Sequence, residues 1–185
     1  MEFESRKVQP HRVIYPRQVI LVTSISNEGK ANIITLAWSS FISIKPPIMA
    51  ICIANKGRYS KKLIEETYEF IINVPTAEIA KEVYFCGSNS GKLINKFIET
   101  GLTPVPAKKV KPPIIGECVG FMECRVIKSV MIGDHTVYFG EILDDYVKAE
   151  FTTKDGYDLK KVKLLYHLGG NKFTTNAEEK IIIKI

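Results

Sequence analysis

Glutamine is almost missing from this 185-residue chain; only Gln9 and Gln18 occur. Histidine is scarce too, with His11, His135 and His167 alone, and Trp38 is the one tryptophan. The four cysteines, Cys52, Cys86, Cys118 and Cys124, form no Cys-x-x-Cys pair and have no histidine at ligand spacing, which argues against a zinc or other metal site. They read as reduced thiols, with Cys52 and Cys124 as small core residues. No apolar run approaches the roughly 18 residues a bilayer span needs, because Ile14–Ile25 is interrupted by Pro16, Arg17 and Gln18. The opening MEFESRKVQPHRV has no apolar segment of the signal-peptide kind, so a cytoplasmic protein away from membranes is expected. Common enzyme signatures are absent: no Gly-x-Gly-x-x-Gly, no His-Glu-x-x-His and no Gly-x-Ser-x-Gly. Ser90-Gly91-Lys92-Leu93 looks like the end of a P-loop, but Cys86 stands at the required earlier glycine and Leu93 replaces Ser/Thr, which excludes it.

What is present is 25 isoleucines with abundant Lys and Glu, a bias typical of heat-adapted proteins. A 45% hydrophobic share over this length suits one domain, residues 1–185, with a real core. The formal net charge of +6 is spread along the chain; it favours anionic ligands without implying nucleic acid.

Hairpins dominate the pattern. Gln18–Ile25 and Ala31–Leu36 are strands around the Ser26–Lys30 turn, where Gly29 supplies positive φ. Ile48–Ala54 and Tyr68–Val74 follow as strands, and Ser60 is expected to cap a short helix over Lys61–Glu66. Thr76–Phe85 has helical spacing and is expected to break at Gly87–Gly91. Lys92–Thr100 reads as a helix with Leu93, Ile94 and Phe97 on one face. Val119–Met131, Thr136–Tyr146, Val162–Leu168 and Lys180–Ile185 complete the strands. The sum is an antiparallel sheet, closed as a barrel or sandwich, with a helical insertion at about residues 60–100. Several strands are apolar on both faces, so one face is expected to meet the helices and another a second subunit.

The densest signal lies in Asn32–Ile53, two apolar strands joined around Pro46-Pro47. The first carries Thr35, Ser39, Ser40 and Ser43 beside Trp38. Unpaired buried hydroxyls are costly, and small hydroxyls beside an aromatic suit a flat, polar-edged ligand. Asn32, Thr35, Trp38 and Ser39 are the candidate ring contacts; a core tryptophan with hydroxyls bonded between strands is the alternative. Arg58, Ser60, Lys61 and Lys62 then sit at a strand-to-helix junction, where backbone N–H groups and the helix dipole favour phosphate. Ser88, Ser90, Gly91 and Lys92 make a second such junction. Both also fit solvated helix starts. A flat ring plus a phosphate is the shape of flavin mononucleotide. Asn73, in an apolar strand, satisfies either a ring edge or a loop. Gly133-Asp134-His135 is a tight turn, or else His135 is a proton donor, since histidine titrates nearest neutrality.

Several short motifs fall in an order that resembles a known family: Val19–Thr23, Gly29 with Asn32, Trp38-Ser39-Ser40, Pro46-Pro47, Glu69–Pro75, Asn95-Lys96-Phe97, Glu123-Cys124, Gly133-Asp134-His135 and Gly140-Glu141. The chain is similar, from about Tyr15 to Phe173, to the flavin reductase-like, FMN-binding split-barrel family that includes the flavoredoxins. The resemblance implies an antiparallel Greek-key split barrel, dimerisation, and FMN near the subunit interface. It implies that Asn32, Thr35, Leu36, Ala37, Trp38, Ser39 and Ser40, with Ile53 and Asn73, surround the isoalloxazine and ribityl chain. Arg58, Ser60, Ser90 and Lys92 would hold the phosphate, and Gly169 and Asn171 would lie near the flavin. His135 matches a motif linked to nicotinamide use. Asn95 replaces a common Asp, and Phe173 a frequent Tyr. The implied activity is electron or hydride transfer through FMN, as an NAD(P)H-dependent flavin reductase or as an electron carrier served by a redox partner protein. A nucleic-acid-binding barrel would need exposed aromatics beside a basic stripe, whereas Trp38 and Phe41 lie in apolar runs without interleaved Lys or Arg.

Overall fold

The computed structural model describes residues 10–179, so the expected strand Lys180–Ile185 lies outside the described residues. The first apolar run divides at Val19, whose N–H donates to Leu165 O at 2.9 Å. Before it, β1 (Arg17–Gln18) joins one sheet; after it, β2 (Ile20–Ile25) joins another. β3 (Ala31–Leu36) pairs back on β2 through a turn in which Gly29 holds φ at +85°. The Asn32–Ile44 stretch, expected to be one strand, breaks at Ala37-Trp38, so that β4 (Ser39–Ile44) is separate and pairs with β5 (Pro47–Ala54). Next come α1 (Tyr59–Thr67), β6 (Glu69–Val74), α2 (Ala80–Ser88) and α3 (Lys96–Thr100). A short pair, β7 (Pro104–Val105) and β8 (Ile114–Ile115), brackets the basic proline-rich loop. β9 (Gly120–Ile132) and β10 (His135–Val147) form the long hairpin. Small hairpins β11 (Thr152–Thr153) with β12 (Gly156–Tyr157), and β13 (Leu165–Gly169) with β14 (Lys172–Thr175), end the chain's described part.

The main sheet has seven antiparallel strands in the order β3-β2-β6-β9-β10-β5-β4. Its two edge strands are consecutive in sequence and only Ala37-Trp38 separates them. The sheet therefore curls until its edges nearly meet, as a barrel split at those two residues; closure hides edges that would otherwise pair with another chain. A second sheet, β1-β13-β14, stands beside the split.

The expected alternation is weak because β2 and β3 bury both faces within this chain. Leu21 and Ile33 pack with Val83 of α2 and Phe97 of α3. Val22 and Ile34 pack with Ile51, Ile53, Phe70, Tyr138 and Ile64 of α1. The apolar side chains left in solvent lie elsewhere, including Phe41, Ile42 and Ile44 on edge strand β4.

The helices differ from expectation for local reasons. Ser60 is inside α1, whose N-cap is Arg58, and its hydroxyl accepts from Asn32 Nδ2 at 2.8 Å instead of capping. α2 runs through Gly87 to Ser88, held by Ser88 Oγ donating to Tyr84 O at 2.8 Å and Asn89 N–H to Phe85 O at 3.1 Å. α3 starts only at Lys96, because the Asn95 side chain accepts from Phe97 N and Ile98 N and sets the first turn there. Leu93, expected on its buried face, is 83% exposed. Asn and Asp serve equally as such caps, which accounts physically for Asn95 in place of Asp. No helix among the described residues is long and apolar enough to cross a membrane.

Candidate functional site

The split gathers the polar groups. Thr35 Oγ1 donates to Val83 O at 2.5 Å and ties α2 to β3. Glycine at 87 eases that approach, since a Cβ there would sit 3.2 Å from Thr35 Cβ, a tight contact. The helix ends at Ser88, inside the Gly87–Gly91 stretch expected to break it, and Gly87 is also the position where strand and helix touch. Trp38 O accepts from Cys52 N at 2.9 Å, which fixes the bridge between the sheet edges onto β5.

A cleft of about 350 Å3 opens at this seam. Thr35 to Trp38 form its floor with Cys52 and Ala54 of β5, α2 forms one side, and Tyr15, His167, Gly170 and Phe173 form the other. Its rings touch in sequence. His135 stacks on Trp38 with centroids 4.7 Å apart and planes at 27°, and His11 meets Trp38 edge-on at 5.4 Å. Tyr15 and His167 lie 5.7 Å apart, and His167 and Phe173 5.3 Å. Offset and edge contacts of this kind suit planar ligands as well as each other. Asn55 fixes the His135 turn: its N–H donates to Asp134 O at 2.8 Å and its Oδ1 accepts from Thr136 Oγ1 at 2.6 Å. His135 Nδ1 lies 2.6 Å from Asp134 Oδ1, leaving Nε2 as the unengaged edge of the ring. That contact lowers the pKa of the Asp134 carboxyl. Burial raises the Cys52 thiol pKa, against the pull of Arg17.

Arg58 lines the cleft and also a small polar notch formed by Asn32, Ser60, Ser90, Gly91 and Lys96. Its Nη1 donates to Gly87 O at 3.0 Å. Lys96 is buried beneath the notch and donates to Ile33 O at 2.7 Å and Cys86 O at 2.6 Å. Burial pulls its pKa down to about 8; the nearby Cys86 opposes this and Arg58 adds to it. Burial likewise pushes Cys86 up to about 11, against Lys96. An ammonium has three donors, so one remains for a ligand. No described side chain caps the first turn of α1, whose N–H groups face an anion readily. Asn32 Oδ1 is one of three buried side-chain atoms among the described residues without a partner, with Ser24 Oγ and Glu66 Oε2. A Cβ on Gly91 would lie 1.9 Å from that oxygen, so only glycine fits there. Turned by half a turn, the Asn32 amide would accept from the Ser60 hydroxyl and offer NH2 to the notch. The residues thus fit a group that is a ring at one end and an anion at the other.

Of the residues singled out from sequence, Thr35, Leu36, Ala37, Trp38, Arg58 and His135 line the cleft, and Asn32, Arg58, Ser60 and Ser90 line the notch. Ser88 also lines the cleft and Gly91 the notch, whereas several others lie apart. Ser39 and Ser40 follow the break and face a separate groove with Phe41 and Met49. Ile53 is fully buried in the core. Asn73 spends its amide inside the fold, donating to Leu21 O at 3.1 Å and accepting from Ile115 N at 2.8 Å. Lys92 is exposed and lines neither cavity, and Gly169 and Asn171 flank the lining Gly170. No group of three or more described His, Cys, Asp or Glu residues can hold a metal ion.

Sequence reasoning missed Lys96, Tyr84, Tyr15 and His167. Lys96 had a signal, its place between Asn95 and Phe97, but a lysine in a helix reads as solvated. Tyr15 and His167 lie 152 positions apart, and nothing local relates them.

The flavin reductase like domain model matches residues 11–173. An uncharacterized protein of Archaeoglobus fulgidus is 39% identical over 168 residues, 90% of this chain and 92% of its own. The structure of the flavoredoxin of Desulfovibrio vulgaris superposes with a TM-score of 0.87 at 26% identity, over 99% of this chain and 97% of that one. The flavoredoxin of Methanosarcina acetivorans gives 0.84 at 28% identity, over 97% and 95%. The fold is thus an antiparallel split barrel of the flavoredoxin kind, and the chain belongs to the family of the flavin reductase like domain.

Proposed function

We propose that this protein binds FMN across the cleft and the notch and takes a hydride for it from NADH or NADPH, acting as a flavin reductase. One observation carries the reading: Arg58 faces both the ring-lined cleft and the anion-ready notch, so one ligand with a ring and a phosphate spans them. When bound, FMN supplies the redox chemistry by accepting and passing on electrons. Thr35, Leu36, Ala37 and Trp38 would carry the ring and ribityl chain. Arg58, Ser60, Ser90, the first-turn N–H groups of α1 and Lys96 would hold the phosphate. Lys96 replaces Lys92 in that role because Lys96 lines the notch and Lys92 does not. His135 would orient the nicotinamide with its unengaged ring edge. α2 and the β13–β14 hairpin would keep water off the reacting face.

The likeness to flavoredoxins favours a second reading, an electron carrier supplied by another protein with no nicotinamide site. The apolar row on edge strand β4, with Ile44 at 78% exposure, supports a homodimer in either case.

The test is spectroscopic. Purified protein should be yellow or take up FMN, and FMN at a hundredfold excess over its dissociation constant should add about 2.7 kcal/mol of apparent stability. Arg58→Ala should weaken FMN roughly ten- to a hundredfold while leaving riboflavin nearly unchanged, since a charge-assisted hydrogen bond is worth about 1.5–3 kcal/mol. Colourless protein without a thermal shift would refute FMN binding. FMN-loaded protein that neither nicotinamide bleaches without air would leave the carrier reading. Light scattering should give twice the mass of the 20.9 kDa chain.

A further inference from the structure

Arg12 lies on the short turn Pro10–Ile14, against Gly169 and so beside the cleft-lining Gly170, which puts it at the rim of the cleft. Rings fasten that turn on both sides of it. His11 packs edge-on to Trp38 with centroids at 5.4 Å, and Tyr15 packs on His167 at 5.7 Å. Tyr15 N–H donates to Arg12 O at 3.2 Å, which closes the turn. Between these anchors the guanidinium lies on the backbone of Gly169, where a Cβ would be 3.0 Å from both Cζ and Nη2. Gly169 holds φ at +111°, so its missing side chain and its backbone both leave that seat to Arg12. The next residue, Gly170, lines the cleft.

The charge at this rim is one-sided. Arg12 is exposed, and no described carboxylate lies within ion-pair distance of it. No carboxylate lines the cleft, whereas Arg58 does. Asp134, next to the cleft-lining His135, is already bonded to that ring at 2.6 Å. A guanidinium seated on backbone has lost part of its freedom before a ligand arrives, and its planar fork matches phosphate oxygens. Such a cation beside stacked rings fits a ligand with a flat ring inside the cleft and a phosphate at its mouth.

We infer that Arg12 is a specificity-determining residue that receives a phosphate of the second substrate, a nucleotide whose ring stacks against the cleft-bound flavin. This rests on the FMN reading above and adds the chemical class that the outer site selects. On that reading FMN would be held by Arg58 and the notch, neither of which includes Arg12, so Arg12 is left for the partner.

The experiment compares three hydride donors on FMN-loaded protein without air: NADH, NADPH and the uncharged 1-benzyl-1,4-dihydronicotinamide. Arg12→Ala should raise KM for the two nucleotides about tenfold with kcat unchanged, and should leave the uncharged donor and FMN affinity as they were. Arg12→Lys should recover part of the loss, and added salt should narrow the gap between wild type and Arg12→Ala. Equal effects on charged and uncharged donors, or none on either, would overturn the assignment. If no donor bleaches the wild type, hydride transfer fails as a function, and Arg12 is read by titrating FMN-loaded protein with NADP+ and following the flavin spectrum. Weaker NADP+ binding by Arg12→Ala then supports the assignment. No binding, or equal binding, overturns it.

Discussion

Two buried charges in this molecule meet opposite fates. The Glu123 carboxylate is fully buried in the sheet and accepts from the backbone N–H groups of Lys108, Lys109 and Val110 at 2.9, 2.6 and 3.1 Å. Tyr146 Oη donates a fourth bond at 2.9 Å. Burial pushes its pKa up, but these bonds together outweigh burial and hold it below the ordinary value. The Lys96 amine, equally hidden, has two carbonyl acceptors and a pKa pulled down to about 8. Around it the bonding is also incomplete, with the Asn32 oxygen unpartnered and the start of α1 without a described side-chain cap. A buried charge whose bonds are all used is a clasp, here pinning the basic proline-rich loop. A buried charge with bonds to spare, lining a notch, has the capacity to take a ligand. Burial alone does not distinguish the two; leftover hydrogen-bonding capacity does.

The comparison is broken most easily at Glu123. Glu123→Ala would orphan three backbone donors and the Tyr146 hydroxyl, each worth about 1–3 kcal/mol if left unpaired. Allowing for water entering, a loss of about 3 kcal/mol in denaturant-derived stability is expected, with FMN affinity unchanged. The pH dependence has a definite sign. Because the native pKa is lowered, the contribution is complete above the ordinary glutamate range and is lost as pH falls through the lowered native value. Glu123→Gln should therefore flatten the acid side of the stability curve. A variant as stable as wild type at neutral pH and at pH 4 would show that the clasp carries no weight.

Lys96 should behave in the opposite way. Its native pKa of about 8 lies below the free value of 10.5, so the amine opposes folding below pH 8, and that penalty fades as pH rises from 8 towards 10.5. Lys96→Met removes that penalty but leaves Ile33 O and Cys86 O without their donor, so the FMN-free protein should change in stability by no more than about 1–2 kcal/mol. It should weaken FMN roughly tenfold, about 1.4 kcal/mol, and riboflavin hardly at all. In the wild type, FMN affinity should decline as pH rises above about 8, and in Lys96→Met that decline should vanish. Equal losses for FMN and riboflavin would mean the amine does not serve the phosphate.

The smallest expected effect sharpens a detail near the notch. Asn95→Ala removes the cap of α3 and should cost about 1 kcal/mol, while Asn95→Asp should be nearly neutral. A loss of FMN binding in Asn95→Asp beyond twofold would show that residue 95 acts on the ligand and not only on the helix.

Much of the barrel was legible because turns and apolar runs act locally. The Gly29 turn, the pair of strands around Gly133-Asp134 and the Pro75 stop report their own backbone. The candidate site was legible where one segment carries it, as in Thr35 to Trp38 and Arg58 to Ser60. It was illegible where a residue's role depends on what approaches it. Gly87 begins the stretch that ends α2, as its turn-like signal suggests, but nothing local records that Thr35 packs against it. Asn73 looks like a ligand contact, yet β2 and Ile115 consume its amide. Ser39 and Ser40 continue the pattern of Thr35, yet the break at Ala37-Trp38 carries them to another groove.

By itself the sequence determined an antiparallel β protein with a helical insertion, and it marked the small-residue strand and the basic helix start as the places where a ring and an anion could sit. Those features rest on interactions between residues a few positions apart, which a linear pattern records. Only the tertiary structure decided that the sheet edges meet at Ala37-Trp38. It also decided that Lys96, not Lys92, lies under the notch, and that Arg12 and Tyr15 reach Gly169 and His167 across the mouth. Those contacts join residues that the closing of the barrel brings together. No local propensity encodes them, because each depends on packing against surfaces that exist only once the chain has folded.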